Sequence, residues 1–249
     1  MTRIQRSILA VALILLAGGL RPAPARDLTL LASRWPPYVE DILPGQGLAL
    51  SIVREAFRRG GHTVRFDIKP WSRSLEGALL GVYEGLATAW HSKQRAGELA
   101  YSAPYLTNEI RFVARADRNL RVDSLRDLRG MRIGIVRDYA YGEPLDSADY
   151  VIKVPSNALL ENLLRVVNRK IDVTLDDARV VRWQIDNFLA NGRKRLALLD
   201  PPYRTRKLFV AIHRTVPDHA RLLSDFNRGL ASMKNDGTYR KILEQFNAY

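Results

Sequence analysis

The 249-residue chain has no cysteine, three methionines and four histidines. Without a thiol it cannot form a disulfide, a thiolate–metal site or a cysteine nucleophile, nor carry the N-terminal lipid that bacterial export attaches to cysteine. The histidines, at positions 62, 91, 213 and 219, have no metal-ligand spacing. No G-x-S-x-G, H-E-x-x-H, G-x-x-x-x-G-K-[ST] or G-x-G-x-x-G occurs, so the fingerprints of serine hydrolases, zinc proteases and nucleotide or dinucleotide binders are missing. Long apolar runs are missing too. The one candidate, Ser7 to Leu20, holds 14 residues, short of the ~20 that span a bilayer.

That run is instead placed as a leader would be. Arg3 and Arg6 precede it, Gly18, Gly19 and Pro22 break it, and Ala23-Pro24-Ala25 offers small residues to a signal peptidase. Residues 1–25 are read as a cleavable signal peptide, which makes the product periplasmic. Basic residues outnumber acidic ones, 39 to 26, for a net charge of +13. Cleavage after Ala25 removes three arginines and no acid, leaving +10. Such a surplus suits nucleic acid, an anionic membrane, an acidic ligand or a solvated surface. Export argues against nucleic acid, and the basic residues form no long tract; Arg193-Lys194-Arg195, the densest cluster, reads as a solvated turn.

At 47% apolar, the chain can bury a substantial core. Strand and helix patterns alternate. Leu28–Ala32, Val64–Ile68 and Leu86–Trp90 read as strands, with helices over Gly47–Arg59 and Ser72–Leu80 between them. After Arg115 a second series begins: strand Met131–Val136, a helix Asn157–Asn168 capped by Ser156, strand Ile171–Leu175, a helix from Asp177 to about Leu189, and strand Leu196–Leu199. Ile110–Ala114 and Leu208–Ile212 are short β-rich segments that bracket the second series, and helices Pro217–Met233 and Gly237–Phe246 follow. The expected architecture is α/β: two α/β lobes, the second inserted into the first and joined to it by two crossover strands, with a cleft and a hinge between them. Lobe 1 spans residues 26–112 and 210–249, lobe 2 residues 113–209. A single nine- or ten-stranded α/β domain is the alternative. Asp176 and Asp177, at a strand-to-helix junction, read first as helix caps, but the carboxyl end of a parallel strand is also where α/β folds place ligand contacts.

Three stretches resemble the bacterial extracellular solute-binding proteins of family 3, the amino-acid-type periplasmic binding proteins that feed ABC transporters. They are Trp35-Pro36-Pro37-Tyr38 after the first strand, Arg95 followed by Tyr101-Ser102-Ala103-Pro104-Tyr105, and Ile171-Asp172 with Asp177 five residues after Asp172. Leu125–Gly134, Lys207–His213 and the Phe226-Asn227 to Gly237 stretch extend the match along the chain. The resemblance implies a type II periplasmic-binding-protein fold and a monomer that delivers an amino acid or small carboxylate to an inner-membrane permease, with no catalysis, cofactor or metal. It also implies that Arg95 grips the ligand carboxylate from lobe 1 while Asp177 accepts the ammonium from lobe 2. Trp35 and Tyr38 would wall the pocket. Trp71, Arg73, Trp90 and Ser92 stand at element ends that face it, and Tyr139 and Tyr141 lie in the second-lobe turn where the family donates backbone N–H groups.

The chain departs from that pattern at Thr88-Ala89-Trp90-His91-Ser92, where small hydroxyl residues are usual, and at Arg137-Asp138-Tyr139, where glycine is common. A standard α-amino acid ligand is weakened accordingly. Two other classes stand beside the binder: a sensor module, and a periplasmic dehydratase of the cyclohexadienyl dehydratase type on the same fold, for which Glu109 and Asp177 are the nearest acids.

Overall fold

The structure is a computed structural model and describes residues 25–248. The expected signal peptide lies, but for Ala25, outside the described residues. Parallel strands β1 (Asp27–Ala32), β2 (Thr63–Ile68) and β3 (Gly85–Trp90) form one half of the sheet, with helices α1 (Leu48–Arg59) and α2 (Trp71–Leu79) in the connections. A short β4 (Leu99–Tyr101) and the long β5 (Leu106–Arg115) lead to the second half. There β6 (Arg132–Val136), β7 (Ile152–Ser156) and β8 (Val173–Asp177) are again parallel, with α3 (Leu159–Val167) between β7 and β8. Helices α4 (Ala178–Phe188) and α5 (Gly192–Arg195) and strand β9 (Leu196–Leu198) precede the second long strand, β10 (Arg204–His213). The described chain ends in α6 (His219–Asn235) and α7 (Thr238–Gln245), which return to the first half.

Strand order is β2-β1-β3-β10-β5-β8-β6-β7, with β4 on β10 and β9 on β5. Hydrogen bonding thus runs through one ten-stranded sheet, yet two parallel halves meet only at antiparallel β5 and β10. These two strands pair over Leu106–Ile110 and Arg204–Leu208. At Ile110, β5 passes to β8 (Ile110 opposite Asp177); at Leu208, β10 passes to β3 (Leu208 opposite Trp90). Each long strand therefore edges both lobes, as the inserted-lobe topology requires. Helices on both faces of the parallel halves explain why β3 and β8 are buried at every position.

Local chemistry positions the first loop. The N-terminal amides of α1 have no intrahelical partner; Leu48 N and Ala49 N donate 3.0 Å bonds to the Pro37 and Tyr38 carbonyls. Gly47, at φ 103°, makes that approach possible, since a Cβ there would stand 2.6 Å from the Tyr38 oxygen. The Trp35–Tyr38 turn is thereby pinned to a buried helix. On its other side α1 packs on α6, where Phe57 and Phe226 rings lie 5.1 Å apart.

Element ends moved where side chains found other partners. Ser156 does not cap α3, whose cap is Ala158; the Ser156 hydroxyl donates to the Ile135 and Ala158 carbonyls as β7 ends. β8 starts at Val173, two residues after the apolar run suggested, because Asp172 is held at the edge by Arg118 and Arg132. Two strands, β4 and β7, went unrecognised: β4 is only three residues long, and β7 contains Pro155, which argues locally against a strand.

The α1–α6 contact leaves no room for a side chain at Gly229, where a Cβ would fall 1.9 Å from the Ala56 carbonyl oxygen. Gly229→Ala is expected to cost about 2–3 kcal/mol, lowering Tm by roughly 5–10 °C in a calorimetric scan, with the helices forced apart.

Candidate functional site

The cleft between the two lobes is built from aromatic side chains. Lobe 1 contributes Trp35 from the loop after β1, Trp71 at the first turn of α2 and Trp90 at the end of β3; lobe 2 contributes Tyr139 and Tyr141 from the turn after β6. An inner chamber is lined by Ser33, Trp35, Trp71, Thr88, Trp90, Arg95, Tyr139, Ala140 and Leu208. It leaves only about 30 Å³ for the centres of water molecules. Arg95, Tyr139 and Ala140 also border a wider outer cleft of about 590 Å³, whose wall includes Ser92, Tyr141 and the acidic side chains Glu98, Asp138 and Asp146.

Behind this wall lies a polar network that spans the lobes. Trp35 Nε1 donates to Asp176 Oδ1 (3.0 Å), and the Tyr38 hydroxyl donates to Asp177 Oδ1 (3.1 Å). Asn108, in β5 and fully buried, accepts from Trp90 Nε1 at 2.9 Å and donates to Asp177 Oδ2 at 3.1 Å. Asp177 also accepts from the backbone amides of Glu109, Arg179 and Val180, the last two as the N-cap of α4. Both its oxygens are thus engaged. Asp176 fares differently: Oδ1 also takes the Asp177 amide, while Oδ2 is buried without a partner. Burial raises both carboxyls, and the neighbouring Asp177 charge adds to the rise at Asp176, which is pushed up to about 7.

The lobes touch directly across the mouth of the chamber. Trp71 Nε1 donates to the Asp138 carbonyl oxygen at 3.0 Å, and Arg95 Nη2 donates to the same oxygen. The Arg95 guanidinium lies 5.5 Å from the Trp71 ring centre, a cation–π contact, and burial pulls it below its usual pKa. Asp138 adopts φ 61°, in the left-handed region that glycine fills most readily. Tyr139 inserts edge-on against Trp71 (5.7 Å) and Trp90 (5.3 Å). Arg204 ties the following turn to β10 by donating to the Tyr141 and Glu143 carbonyls.

Of the residues singled out in the sequence, Trp35, Trp71, Trp90, Arg95, Tyr139, Tyr141 and Ser92 come together on the cleft wall. Three do not. Tyr38 is 1% exposed and spends its hydroxyl on Asp177. Asp177 faces the crossover strand β5 and borders a different pocket, with Thr107, Glu109, Arg179 and Arg182. Arg73 points to solvent and pairs with Glu76 at 2.9 Å. Residues that sequence reasoning missed are Asn108, invisible inside the polar run Thr107-Asn108-Glu109, and Asp138, which acts through its main chain. Arg206 was missed too; its alternation with Arg204, which puts both on one strand face, is the signal that could have found it, and it stands 5.8 Å from the Trp90 ring centre. Among the described residues no cluster of three or more His, Asp or Glu could hold a metal, and no helix is long and apolar enough to cross a membrane.

The two lobes, their crossover strands and the cleft between them have the architecture of the periplasmic-binding-protein fold. The model of the bacterial extracellular solute-binding proteins, family 3, matches residues 32–248, and the chain belongs to that family. It is 27% identical over 154 residues to the ABC transporter arginine-binding protein 1 of Escherichia coli K12, covering 61% of each chain; the chain thus spans less than two thirds of that relative's length. Among solved structures, a histidine kinase sensor domain with similarity to periplasmic binding proteins superposes with a TM-score of 0.75 at 21% identity, covering 90% of this chain and 96% of that one. A mutant of the ArgBP of T. maritima superposes at 0.75 with 17% identity, over 96% and 100%.

Two measurements test the network. The folded state holds a proton on Asp176 up to about pH 7, whereas an unfolded aspartate releases it near pH ~4. This carboxyl therefore subtracts stability progressively as pH rises from about 4 to 7 and by a constant amount above that. Asp176→Asn, compared with wild type in thermal melts, should gain several degrees on going from pH 4 to pH 8; a difference that does not change with pH would remove Asp176 as the titrating group. Tyr38→Phe deletes one donor to Asp177 and should cost about 1–2 kcal/mol of stability in chemical denaturation.

Proposed function

We propose that the protein is a periplasmic solute-binding protein that captures an amino acid or related small carboxylate between its lobes and presents it to an ABC-transporter permease. The observation that carries this reading is Arg95: among the described residues it is the one charged side chain on the inner chamber wall, set among aromatic faces where the lobes meet. A guanidinium offers parallel donors to a carboxylate, and in a partly desolvated cleft that pairing strengthens. A ligand gripped by Arg95 and touched from lobe 2 by Tyr139 and Tyr141 is bound fully only when the lobes are together, so its binding energy favours closure. Closure gives the permease a shape to recognise. The family supports the assignment, and the E. coli relative is named an arginine-binding protein of an ABC transporter.

In this reading the leader at residues 1–25 sends the chain to the periplasm, where it acts as a monomer without cofactor or metal. Lobe 1 is residues 26–112 with 210–249, and lobe 2 is residues 113–209. Trp35, Trp71, Trp90, Ser92, Tyr139 and Tyr141 wall the ligand, while Tyr38 and Asp177 position that wall and Arg73 stays in solvent. The dehydratase alternative gains no support from its acids: Glu109 is paired with Arg111, and Asp177 is saturated by five donors.

A thermal-shift screen of amino acids, opines, small carboxylates and polyamines tests the proposal. At a hundredfold excess over Kd a ligand adds about 2.7 kcal/mol, some 5–10 °C in Tm. At least one carboxylate should produce such a shift in wild type, and Arg95→Ala should lose it, at a cost of about 2–5 kcal/mol in binding. An undiminished shift in the variant rejects Arg95 as the anchor.

A further inference from the structure

The geometry points to a narrower ligand class: a flat aromatic carboxylate that carries no α-ammonium group. This rests on the reading of the cleft as a small-carboxylate site and is argued from what now fills it. The Asp138–Tyr139 segment of lobe 2 occupies the lobe-1 surface. Its carbonyl oxygen takes the Trp71 indole N–H and an Arg95 N–H, and its ring stands between Trp71 and Trp90. With the Tyr139 ring set between the two indoles and room left for only a few waters, a ligand gains room in the chamber by displacing that segment. What displaces it must meet the same needs: an oxygen acceptor for two converging donors, which a carboxylate satisfies better than an amide, and an aromatic ring that meets the two indoles edge to face, as Tyr139 does. Arg206, 5.8 Å from the Trp90 ring centre, adds positive charge on the same side.

An ammonium has no such place. Among the described residues no carboxylate lines the inner chamber. Asp177 takes five donors across its two oxygens, and the one unpaired oxygen, Asp176 Oδ2, is sealed from the chamber with Asp176 0% exposed and its other oxygen bonded to Trp35. The acidic side chains Glu98, Asp138 and Asp146 stand in the outer cleft. An α-ammonium, attached to the carbon that bears the carboxylate, would be buried beside the Arg95 guanidinium with no carboxylate of the inner chamber wall to receive it, an unfavourable arrangement.

Isothermal titration of the protein with matched pairs tests this. The probes are 3-phenylpropanoate against L-phenylalanine, and indole-3-propanoate against L-tryptophan, each differing only in the ammonium; L-arginine and 5-guanidinopentanoate form a non-aromatic pair. The ammonium-free member of both aromatic pairs should bind at least about tenfold tighter than its amino acid and tighter than either guanidino compound. Arg95→Ala, folded by circular dichroism, should lose that binding. If an amino acid binds tighter than its ammonium-free partner, or if L-arginine binds best, the inference is overturned while the solute-binding reading stands. If neither these six nor any carboxylate of the wider screen binds, that reading falls and takes the inference with it.

Discussion

Two adjacent carboxylates buried where the lobes meet organise this protein. Placing Asp176 and Asp177 out of water is costly, and the cost is offset only by the donors that converge on them. Those donors come from both lobes and the crossover strand: Trp35 and Tyr38 from the first loop, Asn108 and the Glu109 amide from β5, and the first amides of α4. Because Asn108 also accepts from Trp90, two of the aromatic side chains on the cleft wall, Trp35 and Trp90, are oriented by one acidic pair. The acids thus fix the aromatic wall of the cleft. Satisfaction is uneven: Asp176 keeps one oxygen without a partner, and its burial, with the Asp177 charge beside it, pushes that carboxyl up to about 7.

This arrangement separates rigid from movable parts. The lobe-1 wall is anchored to the pivot, where β5 and β10 cross and the acid pair sits. At the mouth, by contrast, the contacts between lobes are a shared carbonyl and edge-on rings, Asp138 and Tyr139 against Arg95, Trp71 and Trp90. Those contacts are few and local. In the proposed reading, where a ligand replaces them, modest binding energy would be enough to shift an open–closed balance about the crossover strands.

Much of the fold was legible because strand and helix periodicities are local properties. Leu28–Ala32, Val64–Ile68 and Leu86–Trp90 became β1, β2 and β3 nearly to the residue, and the segments around Ile110 and Leu208 proved to be the crossovers. The misses have local causes as well. Pro155 disguised β7, and Ser156, a good cap by type, turned its hydroxyl to other carbonyls. Within the site, Arg95 and the tryptophans were visible as aromatic and basic residues at element ends. Asp177 was visible also, both as a helix cap and as a ligand group, and in the structure it makes the cap.

The sequence alone determined the order of elements, the insertion of one lobe in the other and the residue types available to the cleft, since these follow from periodicity, capping and side-chain chemistry within a few residues. It could not determine which way those side chains face. Tyr38 and Asp177 carry the right chemistry for a ligand but are consumed by each other, 139 residues apart in the chain, while Asp138 reaches the cleft through a backbone oxygen that any residue would possess. Such pairings depend on how β5 and β10 bring distant segments together, and only the tertiary structure decides which polar groups are spent on one another and which are left to meet a ligand.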